Sequence, residues 1–164
     1  MATGIHYRVE VLNLHAHLFG ITLTIARPAA RQVLRLPVWI PGSYLVREFA
    51  KNLQNLHCRQ GTKAVPARQS GKATWMVECV AEQPLEVRYE VYAFDNSVRT
   101  AWLDATRGCF NGTSLCLQVD GQQDQAHALE LVSNEAIATW SVATGLEPVK
   151  VNKRGFGSYR ADNY

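Results

Sequence analysis

Apolar and polar residues alternate along much of the chain. Ile5, Tyr7, Val9 and Val11 alternate with His6, Arg8 and Glu10, and Phe19, Ile21, Leu23 and Ile25 with Gly20, Thr22 and Thr24. Successive side chains of a strand point to opposite faces, so this two-residue period predicts strands with one face in a core. Met1 to Glu10 reads as the first strand, and Asn13 to Ala16 as its connection to the second. Leu34, Leu36, Val38 and Ile40 form a third alternating set that runs into Pro41-Gly42. Leu85, Val87, Tyr89, Val91 and Ala93, set against Glu86, Arg88 and Glu90, make the cleanest alternation of all.

The remaining segments are shorter. Leu45, Phe49 and Leu53 recur every fourth residue, which fits a turn or two of helix from Tyr44 to Lys51 with Ser43 as N-cap; an irregular extended segment fits as well. Asn55 to Arg59 leads to a turn at Gln60-Gly61, with Thr74 to Val80 as hairpin partner and Trp75, Val77 and Cys79 on one face. Glu82-Gln83-Pro84 breaks that strand. Phe94 to Gly112 has turn residues and little periodicity, and a loop of that length in a compact domain is functional or part of an interface. Leu115, Leu117 and Val119 restart a strand that stops at Asp120-Gly121, and Gln122 to Gln125 links it to Ala128 to Val132. Ala138 to Val142 is the last expected strand, and the polar tail from Asn152 to Tyr164 loses the pattern. Short strands separated by Gly, Pro and Asn turns predict an all-β fold, an antiparallel β-sandwich with at most one or two short helical turns. Residues 1–151 would form that domain, and residues 152–164 the start of a connection to another.

Composition narrows the classes. At 164 residues, 47% hydrophobic and 19% charged, the chain suits one globular domain that buries roughly 70% of its unfolded surface. The net charge of +3 arises from 17 basic and 14 acidic residues spread along the sequence. No basic cluster tracks a phosphate backbone, so nucleic acid is not an expected partner. No apolar run approaches the roughly 20 residues that span a bilayer, and no membrane partner is expected. The N-terminus lacks the charged and apolar regions of a signal peptide, which makes the expected location cytoplasmic. Cys58, Cys79, Cys109 and Cys116 form no C-x-x-C pair and read as reduced, structural thiols.

Candidate chemistry is sparse. None of His6, His15, His17, His57 and His127 begins an H-E-x-x-H motif. His15 and His17 could project from one strand face, but two ligands do not complete a metal site. Ser43 is not within G-x-S-x-G, so it lacks the strained elbow of a nucleophilic serine. Asp95 and Asp104, with Arg99 and Arg107, give the long loop charges that either solvate it or face a ligand or neighbouring domain. Trp39 and Trp102 lie beside the corner and the long loop and are candidates for exposure, whereas Trp75 and Trp140 fall within alternating segments and suit a core. Asn111-Gly112-Thr113 fits a glycosylation sequon and, more simply, a turn.

The most informative segment is Trp39-Ile40-Pro41-Gly42-Ser43-Tyr44-Leu45-Val46-Arg47-Glu48-Phe49. An apolar run ends in prolines, turns, and then offers hydroxyls and charges, a rigid corner suited to contact. It resembles the W-x-P-G-S-Y-x-x-R-x-F signature of the N-terminal domain of glycyl aminopeptidase-like zinc metallopeptidases. Asp95-Asn96-Ser97-Val98-Arg99, Leu103-Asp104 and Phe110-Asn111-Gly112 are similar to that domain's second signature. Trp140-x-Val142-Ala143-Thr144-Gly145-Leu146 is similar to the pattern near its end, and Phe156 to Tyr164 resembles the approach to the catalytic domain.

The resemblance implies a parent zinc aminopeptidase of the thermolysin-like clan, with zinc and H-E-x-x-H on a catalytic domain outside this chain. It implies no catalytic residue, metal ligand or cofactor within these residues. Trp39, Ser43, Tyr44, Arg47, Glu48, Arg99, Asp104 and Asn111 become candidates for the domain interface or the wall of the substrate cleft. The implied partners are the protein's own catalytic domain and a peptide substrate. An exposed apolar patch near the corner and long loop is expected, through which the isolated chain could self-associate. The alternative is a free-standing carbohydrate- or peptide-binding sandwich that uses Trp39 and Trp102.

Overall fold

The longest alternating runs pair with one another. The computed structural model describes residues 4–164, so Met1 to Thr3 of the expected first strand lie outside the described residues. The strands, in chain order, are β1 (Ile5–Asn13), β2 (Leu18–Ile25), β3 (Arg31–Arg35), β4 (Leu53–Gln60), β5 (Lys63–Val65), β6 (Ala67–Gly71) and β7 (Thr74–Glu78). There follow β8 (Leu85–Tyr92), β9 (Ala101–Leu103), β10 (Gly108–Phe110), β11 (Gln118–Val119), β12 (His127–Leu131), β13 (Glu147–Val151) and β14 (Gly157–Ala161). One α-helical turn, α1 (Gly112–Leu115), and two 3-10 turns, Phe49–Asn52 and Glu135–Ile137, are the helical content of the described residues.

Eight strands make the larger sheet, in the order β13-β14-β12-β1-β2-β8-β4-β5, and four the smaller, β11-β3-β7-β6. The pairings are antiparallel except that β12 runs parallel to β1. The all-β sandwich expected from the alternation is therefore the architecture. The inner face of the larger sheet buries Ile5, Tyr7, Val9, Ile21, Leu23, Val87 and Tyr89, which join Leu34, Trp75, Val77 and Val119 of the smaller sheet in one core. Burial of such a side chain stabilises by roughly 1.5–3 kcal/mol, which is why alternation decides which face turns inward. The outer face is charged. Arg59 holds Glu86 through two hydrogen bonds of 2.7 and 3.0 Å, and Arg88 adds a third at 2.6 Å.

Two buried tyrosines tie the sheets together. The Tyr7 hydroxyl donates to the Leu117 carbonyl at 2.7 Å, and the Tyr89 hydroxyl donates to the Leu115 carbonyl at 2.8 Å and accepts from the Leu117 N–H at 3.1 Å. Leu115 and Leu117 thus lie fully buried without a ladder partner, and the strand expected from Leu115 is confined to Gln118–Val119. Tyrosine hydroxyls satisfy the backbone there instead of a neighbouring strand.

Several local expectations are corrected. The β3 ladder stops at Arg35, before Pro37, which lacks the N–H a ladder needs, and Val38 is exposed. The hairpin partner of β4 is β5; β7 belongs to the other sheet, between β3 and β6. Residues 94–112 carry a two-stranded hairpin of β9 and β10. Ala138 to Val142 is not a strand, and its Trp140 packs against the core from an irregular segment. The tail does not lose the strand pattern: β14 lies in it, bonded to β12 on one side and β13 on the other, with Tyr159 buried. Gly157 permits this, because a Cβ there would collide with the Lys150 carbonyl.

Candidate functional site

Between β3 and β4 the chain leaves the smaller sheet and crosses to the larger through residues 36–52. Leu36, Ile40 and Phe49 anchor this crossing in the core, so the residues between them form a loop pinned at both ends. Ser43 organises the loop from inside. Its N–H donates to the Ile40 carbonyl at 3.1 Å, and its carbonyl accepts from the Trp39 indole at 2.8 Å. Its hydroxyl donates to the Leu45 carbonyl at 2.9 Å and accepts from Arg47 Nε at 3.0 Å. The Arg47 N–H closes the base of the loop on the Val38 carbonyl at 2.6 Å. Ser43 is therefore a buried brace and not the N-cap of a helix; the nearby 3-10 turn begins only at Phe49, with Glu48 in the cap position and no side-chain cap.

What the brace presents is apolar. Tyr44 is 103% exposed, Val46 74% and Leu45 65%, and Trp39 is half exposed. Three consecutive large side chains in solvent, on a loop whose polar groups are satisfied internally, make a preformed knob. Of the two forms that the spacing of Leu45, Phe49 and Leu53 fits, residues 44–48 take the irregular one, and Leu45 turns outward.

The loop after β8 is tied to this knob. Arg99 Nη2 donates to the Gly42 carbonyl at 3.1 Å, and its neighbour Val98 is 91% exposed. The turn Phe49–Asn52 packs on α1, which places Asn111 on the same side of the fold. Asn111 caps that helix: its side chain accepts from the Thr113 N–H at 3.2 Å and the Thr113 hydroxyl at 2.8 Å. Asp104 is occupied within its own loop. It accepts from Trp102 Nε1 at 2.9 Å, from the Thr106 N–H and hydroxyl at 2.7 Å each, and from the Arg107 N–H at 2.9 Å. The Thr106 hydroxyl first, then those N–H donors, hold its carboxyl well below the usual carboxylate range.

The structure thus joins Trp39, Ser43, Arg47 and Arg99 in one hydrogen-bonded unit, with Tyr44 at its tip. Glu48 is exposed at the start of the 3-10 turn, and Asp104 is committed to a separate brace. Leu45, Val46 and Val98 are not among the residues the sequence offers as site candidates, and only their apolar character beside the corner and in the long loop points to them.

Trp102 is not a free stacking platform. Phe94 stacks on it at 4.3 Å between ring centroids, and His17 lies 3.9 Å beyond on Phe94. His15 is exposed and lies with His17 in the turn between β1 and β2, so the two do not project from one strand face. Cys58 is buried while its neighbour His57 points outward from β4. Burial pushes the thiols of Cys58 and Cys116 up to about 12, where they stay protonated and unreactive. Among the described residues, no three His, Cys, Asp or Glu side chains gather closely enough to hold a metal ion, so these residues do not fit a zinc site.

The sequence profile of the Peptidase M61 N-terminal domain matches residues 6–164. An aminopeptidase N family protein from Idiomarina loihiensis is 42% identical over 98% of this chain, with a TM-score of 0.94, and the chain spans 27% of that protein. A point mutant of the M1 zinc metallopeptidase from Deinococcus radiodurans shares the fold at 11% identity and a TM-score of 0.52, over 95% of this chain and 37% of its own. No curated protein sequence matches significantly. The chain belongs to the Peptidase M61 N-terminal domain family.

Proposed function

We propose that this chain is the non-catalytic N-terminal β-domain of a glycyl aminopeptidase-like zinc metallopeptidase of the thermolysin-like clan. Its task is to pack on a catalytic domain that carries the zinc and to form one wall of the cleft that receives the peptide substrate. The domain works in the cytoplasm, and its last residues lead toward the catalytic domain. The observation that carries the reading is the knob of Tyr44, Leu45 and Val46. A large exposed apolar surface marks an interaction site, and this one is rigidly braced, which lowers the ordering cost of docking. Family membership from residue 6 to 164 and the 27% span of a longer aminopeptidase-family protein support a neighbour in the same chain.

Within this reading Tyr44 makes the contact, Ser43 and Arg47 hold the knob in place, and Arg99 couples it to the loop after β8. Trp39, Glu48, Asp104 and Asn111 shape the surface around it. A carbohydrate-binding role for Trp39 and Trp102 is not favoured, because Phe94 covers one face of Trp102.

The test is kinetic. In the longer protein, Tyr44→Ala should lower kcat/KM for aminoacyl peptides by about tenfold or more with zinc content unchanged, as expected for a lost interface anchor worth roughly 1–2 kcal/mol. Unchanged kinetics for both Tyr44→Ala and Arg47→Ala would refute the reading.

A further inference from the structure

Apart from the knob, the fold contains a cavity of about 760 Å³. Small-molecule sites occupy roughly 300–1,000 Å³. The floor is the inner face of β1 and β12, with Val9, Val11 and Leu129. Two of the segments singled out in the sequence, Phe110-Asn111-Gly112 and Trp140 to Leu146, converge on its walls. Six aromatic rings line it, Tyr7, Phe19, Phe110, Trp140, Phe156 and Tyr164, among aliphatic side chains such as Leu131 and Ile137. The one charged side chain at the wall, Glu10, is paired with Arg8 at 2.7 Å. Such a space favours an uncharged, largely aromatic occupant.

His127 at the start of β12 also lines the cavity and is 4% exposed. Its Nδ1 lies 2.7 Å from the Gln125 carbonyl, which can only accept. Nδ1 therefore carries the proton, and Nε2 presents a lone pair. Tyr7 stacks on the imidazole at 5.9 Å and 8°, and Tyr164 meets it edge-on at 6.1 Å. Neither tyrosine can serve Nε2, because their hydroxyls donate to the carbonyls of Leu117 and Cys116, each at 2.7 Å. Nε2 is left buried without a hydrogen-bond partner. Buried polar groups without partners are rare and costly, and one beside a cavity is satisfied by a donor that enters it.

We propose that this cavity binds a small uncharged aromatic molecule with one hydrogen-bond donor, a phenol or an indole, whose donor His127 Nε2 receives. Nε2 is shielded from solvent. Binding therefore requires Tyr164, partly exposed beside it, to give up its bond to the Cys116 carbonyl and move aside. The rings of the lining hold the aromatic body, and the imidazole selects for the donor. Of the residues placed around the knob, Asn111 alone also lines this cavity, and the site does not depend on the peptidase reading.

The experiment uses p-cresol and toluene, two probes of nearly equal size that differ in one donor. Each is titrated into isotope-labelled protein while the imidazole nitrogens and the backbone amides are followed by NMR. The expected result is saturable shifts at Leu129, Ile137 and Trp140 with p-cresol, an upfield move of His127 Nε2, and about tenfold weaker binding of toluene, the scale of one buried hydrogen bond. His127→Phe should bring the two probes to equal affinity. Should that variant fail to fold, the comparison of probes on the unaltered chain decides alone. Absence of saturable shifts, or equal affinities with an unmoved Nε2 resonance, would overturn the site.

Discussion

The Arg99 guanidinium donates to the Gly42 carbonyl across 57 residues of sequence, at 3.1 Å. This bond joins the tip of the Pro-Gly corner to the loop that follows β8. Gly42 adopts φ +79° and Ser43 follows it directly, so the tie acts on the tightest part of the turn. Arg99→Ala should leave global stability within about 1 kcal/mol, since a partly exposed bond contributes little net. It should raise hydrogen exchange at the Ser43 and Arg47 amides severalfold, the signature of local opening. Unchanged exchange at both amides would show that the corner holds its shape without the tie.

Ser43 carries a heavier structural role than its neighbours. Its buried hydroxyl serves the Leu45 carbonyl and Arg47 Nε together. Ser43→Ala leaves both without their partner and should destabilise by about 1–3 kcal/mol in chemical denaturation. Tyr44→Ala, one residue on, should stay within about 0.5 kcal/mol because the side chain is fully exposed. Comparable losses at the two positions would mean that the brace is misassigned.

Long alternating strands were legible because one face of each meets the core. β1, β2 and β8 run eight or nine residues with every second side chain buried. β9 and β10 are three residues each, too short for a period to emerge. β13 is exposed along its whole length, so no inward face marks it in the sequence. Ala138, Trp140 and Val142 show the opposite error, an alternation produced by an irregular segment that turns Trp140 inward. At the site, the residue types of the corner were legible, but the internal bonding of Ser43 was not. That bonding turns a polar contact surface into an apolar knob on polar supports.

The tail offers a direct check on the domain boundary. β14 lies between β12 and β13 in the large sheet and buries Tyr159. Ending the chain after Val151 leaves β12 with an open edge and removes that core contact. The shortened chain should fail to give a cooperative thermal transition. A cooperative transition within a few degrees of the 164-residue chain would make the tail dispensable.

Three groups set the response to acid: His127, Asp104 and Glu86, whose carboxyl the Arg59 hydrogen bonds and Arg88 hold below its ordinary pKa. Burial pushes the His127 imidazole below its ordinary pKa, although the Gln125 carbonyl opposes the shift. The unfolded chain then binds the proton first, so stability falls as pH drops below about 6.5 toward the lower folded value. Asp104, held down by Thr106, Arg107 and Trp102, adds stability above the ordinary carboxylate range that is lost as pH falls through its depressed folded value. Denaturation from pH 8 to pH 2 should show the first loss below about pH 6.5, absent in His127→Phe, and the carboxylate losses only below the ordinary carboxylate range. A single acid transition unaffected by His127→Phe would contradict the assignment of the first.

The central claim is that the knob of Tyr44, Leu45 and Val46 docks on a catalytic neighbour. The most direct measurement mixes the 164-residue chain with the separately produced remainder of the longer protein and follows complex formation and peptidase activity. The account predicts a complex whose activity exceeds that of the remainder alone, and a loss of at least tenfold in affinity when Tyr44, Leu45 and Val46 are all changed to Ser. Equal affinity of the altered and unaltered chains, or full activity of the remainder without this domain, would contradict it.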